Sequence, residues 1–216
     1  MNMLKREWPV LVALLALLAS LIYAWQTAPP HVPVHWGPGG TVDRTGSKWE
    51  AFGALPLIMV VAVALLYVVQ AGRGRANAPI LRTGRVGLLL LAALITLSSS
   101  LGWHSARPLM IGTGLFLALV GNVLGKAQPS AWVGMRTPWT YLSRRAWYAS
   151  QRRGALWLTV YGVVLALVSL LLPDHVLFPW LLPLGLPVSL LLVTAWLVYA
   201  SYLDYRHDPD PQPVKL

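Results

Sequence analysis

The sequence predicts an all-α integral membrane protein with six transmembrane helices, one structured outer loop and one cytoplasmic amphipathic helix. Of its 216 residues, 56% are hydrophobic and only 11% are charged, which is more apolar than a water-soluble domain needs to be. Six apolar runs approach the ~20 residues that cross ~30 Å of hydrocarbon as a helix. The basic residues are the third observation: all but Arg44, Lys48 and Arg107 lie on one side of these runs. The positive-inside rule therefore places both termini in the cytoplasm.

The six predicted spans are separated by polar connections. They are Trp8–Gln26, Ala51–Ala71, Val86–Trp103, Pro108–Leu124, Ala155–Leu172 and Pro179–Tyr202. The net charge of +10 does not indicate direct nucleic-acid binding, because the basic residues form short clusters between apolar runs. The chain has no cysteine, which excludes disulfides and thiolate chemistry.

The one sizeable outer loop, residues 27–50, is predicted to form a small hairpin or capped turn. Gly37-Pro38-Gly39-Gly40 is a strong turn signal between two β-capable runs, Val32–Trp36 and Thr41–Arg44. His35 and Asp43 are the best functional candidates in this loop, because loops on a rigid scaffold often carry binding residues. Trp36 and Lys48 lie beside them, so we expect these four side chains to meet an external ligand first.

The largest polar stretch, residues 129–154, is predicted to contain an amphipathic helix over residues 138–153 that lies in the membrane surface. Thr137 before Pro138 is a typical helix start, since Thr caps free N–H groups and Pro is tolerated at the first helical position. Arginines lie mostly off the face that carries Trp139 and Trp147. Gly154 is the expected hinge into the fifth span, and the arginines are expected to face anionic lipids.

The apolar runs contain few polar residues and no charged ones, so they offer no charge relay for a proton-coupled pump. Gly114, Gly121 and Gly162 are expected to let neighbouring helices approach closely. Pro183 and Pro187 predict a kink in the sixth span. A small-solute transporter is a weak alternative, because no matching break occurs in the other half of the chain.

The central stretch resembles the SdpI family of bacterial immunity proteins. The residues that carry the resemblance are Asn122, Gly134, Arg136, Thr137, Pro138, Trp139, Trp147 and Arg152. Ser130 and Ser150-Gln151 stand where the family commonly shows Asn and Thr-His. The outer loop in turn resembles a small domain of unassigned function that commonly precedes the SdpI module, through His35-Trp36, Gly40, Asp43, Gly46 and Lys48.

The resemblance implies a multi-pass protein of the bacterial cytoplasmic membrane that protects against a secreted, membrane-acting peptide toxin. In some members it also implies sequestration of a cytoplasmic transcriptional repressor, and it implies no cofactor. The expected organisation is a two-span unit (1–71), a basic linker with the third span (72–107), an SdpI-like module (108–205) and a cytoplasmic tail (206–216).

A metal-dependent membrane enzyme is the main alternative. His31, His35, Asp43 and His175 are residue types that bind zinc. Pro33 excludes a helix that would place the first two on one face, and an extended chain at ~3.1 Å per residue separates them by ~12 Å. No compact catalytic motif accompanies them, so the sequence favours a non-enzymatic protein.

Overall fold

The structure of the protein is a computed structural model that describes residues 3–37, 39–72, 74–103 and 105–215. Pro38 of the predicted turn lies outside the described residues. In chain order the elements are α1 Met3–Thr27, β1 His31–Trp36, β2 Val42–Ser47, a π-helical turn Glu50–Ala54, α2 Leu55–Ala71, a 3-10 turn Arg75–Asn77, α3 Ala78–Ser100, α4 Arg107–Leu124, α5 Pro138–Leu142, α6 Arg144–Leu171, α7 Asp174–Val176, a π-helical stretch Leu177–Gly185 and α8 Leu186–Arg206.

The described part of the chain contains six helices that are long and apolar enough to cross a membrane, which confirms the predicted fold class. They run over Arg6–Thr27, Glu50–Ala71, Arg75–Ser100, Arg107–Leu124, Arg144–Leu171 and Asp174–Arg206. Three of them begin well before the predicted apolar run, at Arg75, Arg144 and Asp174, because polar first turns extend these helices beyond the hydrocarbon-length segment. The hairpin lies at one end of these helices, called here the hairpin end. Helix α5 and the C-terminal tail lie at the other, called the motif end.

The outer loop forms the predicted hairpin. Strands β1 and β2 are antiparallel, with His31 opposite Ser47 and Trp36 opposite Val42. The register shifts between Pro33 and Trp36, which is where a proline interrupts the hydrogen-bonded ladder. The two strands flank the turn that the Gly37–Gly40 segment predicts.

Two groups of helices make up the body. Helices α1, α2 and α3 share a core that includes Val10, Leu17, Val63, Leu89 and Ala92. Among the described residues, the most extensive contact between two helices joins α4 to α6, and α8 packs on α6. Helix α3 also contacts α4 and so connects the two groups.

Small residues bring α4 and α6 together, as the sequence predicts. A Cβ placed on Gly114 would lie 2.6 Å from the Gly162 carbonyl oxygen, and one on Gly121 would lie 2.6 Å from the Thr159 amide nitrogen. Real Cβ atoms do not approach backbone this closely, so only glycine permits this separation.

The predicted surface helix 138–153 is wrong in its boundaries. Helix α5 ends at Leu142, Ser143 has an extended backbone, and Arg144 begins the 28-residue helix α6. Ser143 caps α6 by accepting from the Ala146 N–H at 2.9 Å. Gly154 is therefore no hinge: it lies buried within α6, where a Cβ would overlap the Met135 sulfur. The cap and the close packing extend the fifth span into the polar stretch.

The sixth span is irregular where the sequence predicts a kink. Its first part is π-helical from Leu177 to Gly185 and contains Pro183, and a regular α-helix begins only at Leu186. Proline removes a backbone donor from the helix, so wider turns replace the regular hydrogen bonds before α8.

Candidate functional site

The predicted pair His35 and Asp43 meets across the hairpin. The His35 Nδ1 and Asp43 Oδ1 atoms are 2.6 Å apart, and both side chains are exposed. Gly37 closes the turn with a hydrogen bond from its N–H to the Thr41 carbonyl at 2.9 Å. This pairing organises the strand ends and leaves one edge of the imidazole ring at the surface.

Lys48 holds the hairpin to the first helix. Its Nζ donates to the Trp25 carbonyl at 2.7 Å, which satisfies a free acceptor at the end of α1. The Trp25 and Trp49 rings pack edge to face with centroids 4.9 Å apart. Lys48 is therefore placed as a structural residue as well as a candidate contact residue.

The hairpin tip rests on the connections between the other helices. Gly40 has a φ of 73°, and a Cβ there would overlap the Phe178 ring. Thr41 forms an isolated backbone bridge with Ser105 in the connection between α3 and α4. The hairpin thus bridges both helix groups at its end of the molecule.

An open cavity of about 750 Å³ lies between the hairpin and the helices. Its lining is mostly apolar and includes, from the hairpin, Val34, His35 and Trp36 and, from the helices, Leu55, Ile95, Leu109, Met110 and Phe178. The Trp36 Nε1 atom is buried and has no hydrogen-bond partner among the described residues. A cavity of this size is within the range of known ligand sites, ~300–1,000 Å³.

The residues of the alternative metal site do not come together. Within the described residues, no three His, Cys, Asp or Glu side chains are grouped closely enough to hold a metal ion. His31 and His175 are both exposed, and of the four candidates only His35 and Asp43 form a contact.

At the motif end, Gln151 connects α6 to the segment before α5. Its side chain is fully buried, its Oε1 accepts from the Met135 N–H at 2.8 Å and its Nε2 donates to the Met135 carbonyl at 2.9 Å. Gly134 has a φ of 107°, and a Cβ there would lie 2.7 Å from the Gln151 Oε1. The glycine of the motif thus permits the amide to reach the backbone.

Thr137 and Pro138 start α5 as predicted. Thr137 Oγ1 accepts from the Thr140 N–H at 3.3 Å, and Thr140 Oγ1 accepts from the Thr137 N–H at 3.0 Å. This reciprocal cap is buried, and Thr137 Oγ1 also lies 3.0 Å from Ser201 Oγ. Trp139 packs edge to face on Tyr202 at 5.4 Å. The start of α5 is thereby attached to α8.

Trp147 is the largest fully buried side chain of the chain's described part. Its Nε1 donates to the Ala127 carbonyl at 2.9 Å. Asn77 fixes the next residue of the same segment: the Gln128 N–H donates to Asn77 Oδ1 at 2.8 Å, and Asn77 Nδ2 donates to the Gln128 carbonyl at 3.1 Å. The backbone between α4 and α5 is thus held by side chains from both helix groups.

The other motif residues lie at the surface. Arg136 donates to the Ala131 carbonyl within its own loop. Arg152 on α6 and Asn122 on α4 are exposed. The motif therefore divides into buried organising residues and exposed groups that are free to meet lipid or protein.

The C-terminal tail crosses the motif end. The Arg144 N–H donates to the Gln212 carbonyl at 2.9 Å, and the Val214 N–H donates to the Tyr141 carbonyl at 3.0 Å. Ser143 donates its hydroxyl proton to an Asp208 carboxylate oxygen. The link between α5 and α6 is thereby covered by the end of the chain.

A buried charged cluster lies just outside the predicted apolar runs, which themselves contain no charged residue. Arg85 is fully buried, with Nη2 3.1 Å from Glu7 Oε2, Nη1 2.8 Å from Gln70 Oε1 and its Cζ 3.9 Å from the centre of the Tyr67 ring. Arg82 also reaches Glu7, at 3.3 Å. The helices begin before the apolar runs, so these residues lie within helices α1 and α3 near their N-terminal ends. In the sequence, Glu7 is a single acidic residue close to basic ones, and this pattern could have indicated the pairing.

Gln151 was also missed as an organising residue. Its signal was the helical spacing Trp147, Gln151 and Gly154, which places the three on one face of α6. The predicted fifth span begins only at Ala155, so these three residues were not recognised as one face of the same helix.

Comparisons with known proteins match both parts of the chain. The SdpI/YfhL protein family matches residues 126–200, and a domain of unknown function, DUF1648, matches residues 11–60. The chain is 25% identical over 210 residues to a protein of Bacillus subtilis (strain 168) named Immunity protein SdpI, covering 95% of this chain and 96% of that protein. No solved structure matches. These matches confirm both resemblances that the motifs indicate.

Proposed function

We propose, from the match of residues 126–200 to the SdpI/YfhL protein family and from the similarity to Immunity protein SdpI over most of the chain, that this protein is an immunity protein of the bacterial cytoplasmic membrane. It protects its cell against a secreted peptide toxin. The match extends over 95% of the chain, so it includes the hairpin and all six helices. The hairpin end faces outward and both termini lie in the cytoplasm, as the distribution of basic residues predicts.

The observation that carries the toxin-contact proposal is the apolar cavity beneath the hairpin. His35 and Trp36 line it, and Asp43 holds His35 in place from the facing strand. Lys48 contributes by fixing the hairpin to α1. The toxin therefore meets a preformed surface, which costs less conformational entropy than ordering a flexible loop.

A complementation assay tests this proposal. The chain is expressed in Bacillus subtilis cells that lack Immunity protein SdpI, and survival is measured in co-culture with wild-type cells. We expect protection by the wild-type chain and weaker protection by His35→Ala. Thr45→Ala is the matched control, since Thr45 is an exposed hairpin residue. Survival no better than with an empty vector, at equal membrane levels of the protein, contradicts the proposal.

The same assay separates binding from metal-dependent chemistry. Protection by binding is expected to be unchanged by a chelator, and purified protein is expected to leave the toxin mass unchanged. Chelator-sensitive cleavage of the toxin would instead support the enzyme alternative.

At the motif end, we infer a cytoplasmic contact surface. Arg136, Arg144, Arg145 and Arg152 are exposed there, and none forms a salt bridge with a described acidic residue. Each can contribute about 1 kcal/mol of attraction to anionic lipids. The same surface supports sequestration of a cytoplasmic repressor when the hairpin end is occupied.

The test compares wild type with a variant in which these four arginines are replaced by glutamine. Cells are exposed to toxin, and membrane-bound DNA-binding proteins are quantified by mass spectrometry. Toxin-dependent recruitment that the variant loses supports the surface. Equal recruitment with and without toxin argues against sequestration, and it leaves the immunity proposal unaffected.

A further inference from the structure

The link between α5 and α6 presents two backbone groups that its own helices cannot satisfy. Arg144 is the first residue of α6, so its N–H has no carbonyl to donate to within that helix. Tyr141 lies in the last turn of the short helix α5, where a carbonyl lacks an intrahelical donor. Ser143 between them has an extended backbone. The link therefore offers one donor and one acceptor to another stretch of polypeptide.

Residues 207–215, called here the tail segment, supply both partners. The Gln212 carbonyl accepts from the Arg144 N–H at 2.9 Å, and the Val214 N–H donates to the Tyr141 carbonyl at 3.0 Å. Main-chain hydrogen bonds of this kind give affinity in complexes where an extended peptide is added to exposed backbone. The tail segment thus occupies the link as a peptide ligand would.

Side chains of the link recognise the acidic start of the tail segment. The buried Ser143 donates its hydroxyl proton to an Asp208 carboxylate oxygen. The Arg145 Nη1 donates to the His207 carbonyl at 3.2 Å, and Arg145 forms no salt bridge with any acidic residue that the structure describes. A hydroxyl donor beside a free positive charge favours a carboxylate at this position.

The tail segment is held loosely. Asp208 and Val214 are partly buried, and the rest of residues 207–215 is exposed. A segment with so little buried apolar area opens at a low free-energy cost. Pro209, Pro211 and Pro213 occupy alternate positions and favour an extended backbone, so little conformational entropy is lost when such a segment binds.

We propose that the link between α5 and α6 is a binding site for an extended acidic segment of a cytoplasmic protein, and that the tail segment is its internal ligand. The occupant defines the chemistry: a carbonyl for the Arg144 N–H, an N–H for the Tyr141 carbonyl and a carboxylate for the Ser143 hydroxyl. A partner that carries these groups binds by displacing the tail segment. That a cytoplasmic protein supplies them rests on the contact surface proposed for the motif end.

The probe is a fluorescent peptide with the sequence of residues 207–215. It is added to the full chain in phosphatidylcholine nanodiscs, and binding is followed by fluorescence anisotropy. The attached tail segment competes at an effective concentration on the order of millimolar, so we expect weak binding to the wild-type chain. Val214→Pro in the chain removes the N–H that reaches Tyr141, and it is expected to raise the apparent affinity for the peptide about 2- to 10-fold, the contribution of one neutral hydrogen bond.

Lys215→Pro in the chain is the matched control. It adds the same residue at an exposed neighbouring position, whose N–H makes no backbone hydrogen bond among the described residues. The apparent affinity for the peptide is expected to equal that of the wild-type chain.

Changes in the peptide identify the groups that bind. Asp208→Ala or Val214→Pro within the peptide is expected to weaken its binding to the Val214→Pro chain about 2- to 10-fold. A peptide of the same composition in scrambled order measures general attraction to the arginines, and it is expected to bind more weakly than the native order.

Hydrogen exchange shows whether the peptide takes the place of the tail segment. The Arg144 amide is expected to exchange faster in the Val214→Pro chain, and excess peptide is expected to restore its protection. Equal affinity for the wild-type and Val214→Pro chains, equal binding of the scrambled peptide, or fast exchange that the peptide does not reverse would overturn the proposal. Dimers crosslinked between the tail segment of one copy and α6 of another would also overturn it, by making a second copy the partner.

These outcomes are separate from immunity and from sequestration. Peptide binding without toxin-dependent recruitment would refute the sequestration proposal and keep this inference. Toxin-dependent recruitment that Val214→Pro leaves unchanged, with no peptide binding, would refute this inference alone.

Discussion

Replacing Gln151 by leucine removes the connection between α6 and the segment that precedes α5. Leucine has a similar size but cannot pair with Met135, whose N–H and carbonyl both bond to the buried amide at 2.8 and 2.9 Å. The Met135 carbonyl keeps only a longer bond from Thr140 Oγ1 at 3.4 Å. The Met135 N–H loses the partner that the side chain supplied.

The magnitude follows from these two bonds. A buried N–H without a partner costs about 1–3 kcal/mol, and the second bond contributes about 0.5–1.5 kcal/mol. We therefore expect Gln151→Leu to lower the free energy of unfolding by about 2–4 kcal/mol. For a chain of this length that corresponds to a decrease in Tm of about 4–16 °C.

The assay is thermal unfolding in nanodiscs together with hydrogen exchange. Exchange is expected to accelerate in residues 134–140, because the lost bonds hold this segment locally. Arg152→Gln is the control: the neighbouring side chain is exposed, so its effect is expected within about 0.5 kcal/mol. A Tm equal to that of the control, with unchanged exchange at Met135, would refute the reasoning.

Three further predictions use other parts of the molecule. Glu7→Gln leaves the buried Arg85 without its carboxylate and is expected to destabilise the fold by about 2–4 kcal/mol, measured as the loss of folded yield and Tm; an unchanged Tm contradicts this. Gly114→Ala is expected to cost about 1–3 kcal/mol, because its Cβ would meet the Gly162 carbonyl, and normal Tm in the variant would show that α4 and α6 can separate freely. Thr45→Cys gives this cysteine-free chain one thiol, which is expected to react with an impermeant maleimide in intact cells. Reaction only after permeabilisation would place the hairpin in the cytoplasm and so contradict the predicted topology.

Apolar length, turn residues and helix-start residues act locally, which is why the sequence alone determined the spans, the hairpin and the start of α5. Membrane crossing depends on the composition of one segment, and a cap such as Thr137 depends on residues within one helical turn. The close approach at Gly114 also follows from composition, since only small residues permit it. The SdpI resemblance rests on such local strings too.

Tertiary structure decided which polar residues are buried and what they meet. Arg85 and Glu7 are 78 residues apart in the chain, and only the packing of α1 on α3 brings them together. In the sequence Gln151 differs only in residue type from what the family commonly shows, and its burial against Met135 depends on how the preceding segment returns to α6. The cavity likewise arises between the hairpin and several helices, so no single segment encodes it. Long-range pairings of this kind depend on the arrangement of whole helices, which the periodicity of one segment does not determine.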